Sequence, residues 1–148
     1  MPNIRWLLAA ITTCHRWIYI HTGGWVGRFL GWRKRALLLW HQGRKSGRQY
    51  SVPLLYVEYG ECFVVAGSNA GDARDPQWWK NLQARPETQA WIGHRKTAVR
   101  ARRATEAEAE RLWPILQAHY RFFDTYRARA GREIPIVLLE QRDPEKLP

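Results

Sequence analysis

The sequence predicts a mainly β domain with helices, of the α+β class, and three observations carry that expectation. Two strand-like segments, Ala36 to Gln42 and Gln49 to Tyr59, flank the short basic connection Gly43-Arg44-Lys45-Ser46-Gly47-Arg48. Gly60-Glu61 then turns the chain into a third apolar segment, Cys62 to Ala66, which begins a β-meander of the kind that closes into a small barrel. A last strand, Ile134 to Glu140, follows a helical stretch, so strands and helices share one core.

Taken in order, Ile4, Leu7, Leu8, Ile11, Cys14 and Ile18 recur at helical spacing and predict an N-terminal amphipathic helix over residues 1–22, ending before Gly23-Gly24. Arg5, His15 and Arg16 interrupt its apolar run, which is shorter than the roughly 20 residues that span a bilayer. It also lacks the small-residue cleavage site of a secretory signal, so a cytoplasmic location is expected. Trp25, Phe29, Leu30 and Trp32 precede Arg33-Lys34-Arg35, a pattern that suits rings at a headgroup layer with cations over anionic lipid. This allows a peripheral position on the inner face of the cell membrane, while packing over a barrel mouth accounts equally for the apolar surface of the N-terminal helix, which Trp6, Trp17 and Tyr19 widen.

The main domain is expected over residues 23–143, with a tail at 144–148. Gly67 to Asp75 is too rich in Gly, Asn and Asp to continue a strand, and it delivers Ser68 and Asn69 at a strand's end. Asp75 reads as an N-cap and Pro76 as a first-turn proline for a short helix through Leu82. Gln89 to Ile92 and Thr97 to Arg103 read as strands joined at Gly93-His94. Thr105 and Glu108 form a capping box for a helix with Leu112, Leu116, Tyr120 and Phe123 on one face, and Pro114 is expected to kink or divide it.

A chain of 148 residues fits one domain with one core. Its net charge of +11 suits a polyanionic partner, whether nucleic acid, an anionic membrane or an anionic cofactor. Nine tryptophans call for a stacking pocket, a membrane-facing surface or both. Cys14 and Cys62 are isolated and read as reduced thiols. The five histidines show no close metal-ligand spacing, so no metal is expected. No Gly-x-Gly-x-x-Gly follows a strand, and residues for hydrolysis are not assembled. Chemistry run by a bound cofactor needs few reactive side chains.

The turn is where such a cofactor could be held. Gly43 to Arg48 can present backbone N–H groups, a serine hydroxyl and three cations on one rim, although a solvated hairpin turn has the same composition. Gly-Arg-Lys-Ser-Gly between a hydrophobic strand and a Pro-Leu strand resembles the signature of the deazaflavin-dependent nitroreductase and quinone reductase family. Ser68-Asn69-Ala70-Gly71, Pro76-Gln77-Trp78-Trp79-Lys80-Asn81-Leu82, Pro86-Glu87 and Arg132-Glu133-Ile134-Pro135 extend the likeness from Thr22 to Gln141.

The resemblance implies a split β-barrel, FMN-binding-like, that holds coenzyme F-420, an 8-hydroxy-5-deazaflavin with a phosphate and a polyglutamate tail. It further implies that Arg44, Lys45, Ser46, Gly47 and Arg48 hold the phosphate and lead the tail into a basic groove. Pro53 would shape the strand beside the ring. Ser68, Asn69 and Asn81 would offer hydrogen bonds, with Trp78 and Trp79 packing nearby. Tyr126 matches a tyrosine that closes over the substrate pocket and is the expected catalytic residue. The chain departs from the family at Tyr50, where a basic residue is usual, at Asn69, where lysine is common, and at Phe123, where a second pocket tyrosine is frequent.

The leading expectation is an oxidoreductase passing a hydride from the reduced deazaflavin to a quinone or another planar electron-poor acceptor. A split barrel binding FMN or haem is the alternative. A single phosphate would suit the turn, but the polyglutamate tail accounts better for the surplus charge. A nonenzymatic nucleic-acid module fits less well, because the aromatics fall at core-like and helix positions instead of on an exposed stacking sheet. A homodimer is expected by family analogy alone.

Overall fold

The computed structural model describes residues 36–143. The expected N-terminal helix, the patch at 25–35 and the tail at 144–148 lie outside the described residues.

Strand β1, Ala36–Gln42, pairs antiparallel with β2, Gln49–Leu55, in unbroken register from Ala36 opposite Leu55 to Gln42 opposite Gln49. The segment expected to run on to Tyr59 is two strands: β2, then β3, Val57–Tyr59, with β4, Cys62–Ala66, after it. Tyr56 is the break. Its side chain is buried, and its carbonyl accepts a hydrogen bond from the Tyr120 hydroxyl at 2.9 Å.

The reason lies in the sheet. Its seven strands run β2-β1-β5-β6-β7-β4-β3, where β5 is Glu87–Ile92, β6 is Arg95–Arg103 and β7 is Ile136–Gln141. The two edge strands, β2 and β3, are therefore separated by one residue of chain. No flat sheet satisfies that connection, so the sheet curls until its edges approach, giving an antiparallel half-barrel. The strand changes partner from β1 to β4 at Tyr56, which continuous pairing would not permit.

Alternation along β4 and β7 shows how both faces are used. Phe63, Val65, Val137 and Leu139 enter the core inside the curl with Leu37, Leu39, Trp79 and Leu82. Val64, Ala66, Ile136 and Leu138 point the other way, against Leu112, Leu116, Tyr120 and Phe123. Successive residues of a strand face opposite sides, so an unbroken apolar run serves two cores.

Helix α1, Gln77–Ala84, starts one residue later than expected: Pro76 is its N-cap, without a side-chain cap bond. The Asp75 carboxylate is engaged by Arg132 instead. Helix α2, Glu106–His119, has the expected capping box, with both reciprocal bonds between Thr105 and Glu108 formed. Pro114 sits inside α2 without dividing it. The division falls at Tyr120, whose φ of −139° and ψ of 84° leave the helical region as its ring enters the second core. Helix α3, Phe122–Ala130, follows and ends on Gly131 in the left-handed conformation.

Every strand is antiparallel to its neighbours, so β1, β6 and β4 run in the same direction. Their C-terminal ends define one rim. The turn after β1, the loop and α1 after β4, and α2 with α3 after β6 all leave from that rim, which gathers the segments singled out in the sequence.

Candidate functional site

The turn from β1 to β2 is closed by Gly43 N–H donating to Arg48 O and Gly47 N–H donating to Gly43 O, both at 2.8 Å. A Cβ on Gly43 would stand 2.4 Å from Ser46 Oγ and 3.0 Å from the Tyr50 ring, so this position accepts only glycine without rearrangement. Ser46 Oγ accepts from the Arg48 N–H at 3.2 Å and lies 3.3 Å from the Tyr50 hydroxyl. The N–H groups of Arg44, Gly47 and Arg48 are thus used within the protein. Those of Lys45 and Ser46 make no hydrogen bond among the described residues.

Arg44 is tied to α1. Its backbone N–H and its Nη1 both donate to Asn81 Oδ1, at 3.2 and 2.9 Å, and Nη1 also donates to Gln77 Oε1 at 3.0 Å. Asn81 is 5% exposed, and its Nδ2 lies 2.9 Å from Nδ1 of His41, which is 7% exposed. Burial lowers the His41 pKa from 6.5 to about 4, so the imidazole is neutral at neutral pH. The Tyr50 ring stacks on His41 with 5.6 Å between centroids.

The charges of the rim are distributed unevenly. Among the described residues, Arg44, Lys45 and Arg48 have no carboxylate partner. Three arginines toward the C-terminal end of β6 are neutralised instead. Arg100 meets Glu87, Arg102 meets Glu108 and Glu140, and Arg103 meets Glu133, at 2.7–3.3 Å. Lys96 lies over the Trp91 ring, 4.4 Å from its centroid. Positive charge without a carboxylate thus stands at the turn, while Arg100, Arg102 and Arg103 of β6 are neutralised within the protein. Among the described residues, Arg95 at the far end of β6 meets only the neutral Gln141, 3.5 Å away.

Ser68 is buried at the end of β4, ahead of a single 3₁₀ turn, Asn69–Gly71. Asn69 and Ala70 both have positive φ, 47° and 53°. Asn69 Nδ2 donates to Arg74 O at 3.0 Å, which spends that side chain on the loop. Gly71, at φ +82°, lets α3 approach: a Cβ there would lie 3.3 Å from the Tyr126 Cα. Tyr126 is half-buried beside Phe122 and Phe123, with centroids 5.3 and 6.3 Å away, and its hydroxyl makes no hydrogen bond among the described residues.

One residue organises this loop and was missed as a site residue. Arg132 donates to the carbonyls of Gly67, Ser68, Asp72 and Arg74 at 3.1–3.3 Å and to the Asp75 carboxylate at 2.8 Å. His41 and Gln77 were missed too. The sequence places Arg132 in a motif but carries no local signal that a side chain so far along the chain braces residues 67–75. Trp78 and Trp79 are buried in the core inside the curl, their rings 6.4 Å apart at 62°. Pro53 lies in the edge strand β2 opposite Leu38, half-buried, where a missing N–H costs no ladder bond.

The turn, Asn81, the 67–75 loop and Tyr126 are connected along the rim: Arg44 to Gln77 on α1, Asp75 before α1 to Arg132, and the loop to α3 at Gly71. Cys62 is remote, among Glu140, Arg102 and Glu108, and burial raises its thiol pKa. Among the described residues no helix is long and apolar enough to cross a membrane.

Comparison with known proteins shows the family of this chain. A family model described as F420H(2)-dependent quinone reductase matches residues 12–141. The Mycobacterium tuberculosis (strain ATCC 25618 / H37Rv) protein Rv3178, whose name provisionally assigns it that same activity, is 40% identical over 114 residues, 76% of this chain and 96% of its own length. A solved structure titled F420-H2 dependent reductase (FDR-A) superposes with a TM-score of 0.66 at 28% identity, covering 72% of this chain and 94% of that one. Another, described as a domain-swapped dimer, has the same score and identity and covers 72% of this chain and 80% of its own.

Proposed function

The chain belongs to the F420H(2)-dependent quinone reductase family, and from that premise we propose that Arg44, Lys45 and Arg48 hold the phosphate and the start of the anionic tail of coenzyme F-420. The carrying observation is the contrast in charge. Three cations of one turn stand at the rim without a carboxylate partner among the described residues, while Arg100, Arg102 and Arg103 of β6 are each paired with a carboxylate.

The chain is a hydride-transfer oxidoreductase that uses this deazaflavin, and its acceptor is quinone-like. The residues present fit the group. Glycine at position 43 leaves room for Ser46 and Tyr50 in the closed turn, two backbone N–H groups remain for an anion, and the cations can neutralise phosphate with charge-assisted bonds. When bound, the reduced deazaflavin would supply a hydride, which is one proton together with two electrons.

The protein supplies position and polarity. Asn81 fixes Arg44 against α1, so its Nε and Nη2 are left for the anion. Ser46 closes the turn through its hydroxyl, and Gly47 completes it at φ +70°. Pro53, Ser68, Asn69 and Trp78 are assigned to the wall around the ring, with Asn69 and Trp78 acting through the loop and core that they stabilise. The Tyr126 phenol, without a hydrogen-bond partner among the described residues, donates to the acceptor oxygen as negative charge builds there.

The apolar and aromatic N-terminal sequence suits contact with an anionic membrane surface, which would bring lipophilic acceptors to the rim of the deazaflavin domain. Two copies pair, as the solved structure described as a domain-swapped dimer suggests for this architecture. FMN is the second-ranked cofactor because a single phosphate uses fewer cations than the rim offers. Titration with F-420 tests the assignment: binding that survives Lys45→Ala and Arg48→Ala unchanged contradicts it.

A further inference from the structure

We infer that His41 is a positioning residue for the anion-binding turn: its proton-free Nδ1 holds the Asn81 amide in the one orientation that lets the amide oxygen secure Arg44. The inference rests on the cofactor reading above and identifies what sets the geometry of that site.

Donor and acceptor chemistry leaves one consistent arrangement. The Arg44 backbone N–H and Nη1 can only donate, and both converge on one atom of the Asn81 amide, at 3.2 and 2.9 Å. That atom must be the oxygen. The amide nitrogen, which can only donate, then faces His41 Nδ1 at 2.9 Å. Nδ1 is therefore the acceptor, and the ring proton resides on Nε2.

The opposite tautomer would set N–H against N–H. The amide would turn over to satisfy His41 and would present its NH₂ to the Arg44 donors. With Asn81 and His41 both buried, water cannot repair either mismatch. Burial favours the neutral ring, and the Tyr50 ring stacked on His41 limits its rotation. Arg44 is tied at its backbone as well as its side chain, so an inverted amide would loosen the turn itself along with one cation. Gln77 alone would then hold Nη1.

Two substitutions separate this role from simple packing. His41→Phe keeps a ring beside Tyr50 and removes the acceptor. His41→Asn shortens the side chain but sets Oδ1 close to where Nδ1 stands. With the full-length protein, F-420 affinity is measured by tryptophan quenching, and the hydrogen-exchange rate of the Arg44 amide by NMR. His41→Phe is expected to weaken F-420 binding about ten-fold, the size of losing one buried hydrogen-bond partner, and to accelerate Arg44 exchange by a similar factor. His41→Asn should restore both to within about two-fold of wild type.

Unchanged Arg44 exchange in a folded His41→Phe variant overturns the inference. Equal weakening by both variants does so too, because it would show that only ring volume matters. If the wild-type protein fails to bind F-420, the cofactor reading has failed, and Arg44 exchange alone then decides the role of His41. Should His41→Phe not fold, ¹⁵N shifts of the wild-type imidazole decide it: a proton on Nε2 is the expected result, and a proton on Nδ1 overturns the inference.

Discussion

The Arg132 guanidinium donates to the Asp75 carboxylate at 2.8 Å, joining residues 57 positions apart and fixing the loop that precedes α1. The same guanidinium reaches four backbone carbonyls of residues 67–74. A planar fork can satisfy several acceptors at once, which an ammonium cannot. Arg132→Lys should therefore destabilise the protein by about 2–3 kcal/mol, the cost of leaving charge-assisted bonds unmade, and hydrogen exchange should rise across residues 67–75. Exchange confined to wild-type rates there would show that the loop is held by other contacts.

Lys45 makes the opposite prediction. It is exposed and has no partner among the described residues, so Lys45→Ala should change stability by less than about 0.5 kcal/mol. F-420 binding should weaken, since the lysine's charge is available to the anion. Arg44→Ala should lower both affinity and melting temperature, because Arg44 also ties the turn to Gln77 and Asn81. Calorimetric melting beside titration separates the two variants, and identical behaviour would contradict their assigned roles.

Local features of this fold were legible in the sequence, and long-range ones were not. β1 and β4 matched their expected bounds because glycine turns delimit short apolar runs, and Thr105 with Glu108 gave the capping box, a pattern contained in four residues. The break at Tyr56 was hidden, since it arises from closure of the sheet and leaves no glycine or proline at the break. Asp75 carries the signature of an N-cap, but its carboxylate serves Arg132. Pro114 signalled a break that the structure places at Tyr120, where burial of a ring decides. For the rim, Gly43 to Arg48 was readable as a cationic turn. The neutralisation of Arg100, Arg102 and Arg103 was not, because their acids come from β5, α2, β7 and the segment before β7. The orientation of Asn81 on α1 needed His41 from β1, 40 positions earlier.

The His41 pKa gives a pH dependence with a definite sign. Its value is 6.5 without burial and about 4 in the fold. The unfolded chain thus binds the extra proton first, and stability rises with pH across this window. The contribution is complete above about pH 6.5, is lost as pH falls toward 4, and amounts to roughly 3 kcal/mol at one pKa unit per 1.4 kcal/mol. The groups facing His41 are the Tyr50 ring and, through Asn81, the Arg44 guanidinium. Urea unfolding at pH 7 and pH 4.5, in wild type and His41→Asn, isolates this effect. An identical slope in both would assign the pH dependence to other groups.

Tyr126→Phe keeps the ring that packs on Phe122 and Phe123 and removes only the hydroxyl. Deazaflavin binding should change little, while the rate at which prebound reduced cofactor is oxidised by quinones should fall about ten-fold or more, the lower range for losing a hydrogen bond made in the transition state. Stopped-flow absorbance measures that step apart from product release. Equal rates across several quinones would make Tyr126 a packing aromatic.

The central claim is that the unpaired cations of the β1–β2 turn select a deazaflavin with a polyanionic tail. Its most direct test is parallel titration of the purified full-length chain with F-420 and with FMN, followed by tryptophan quenching at low and moderate salt. The account predicts tighter binding of F-420, with a steeper loss of affinity as salt rises, because more negative charge meets the turn. Equal or tighter binding of FMN, or an F-420 affinity indifferent to both salt and Lys45→Ala, would contradict it.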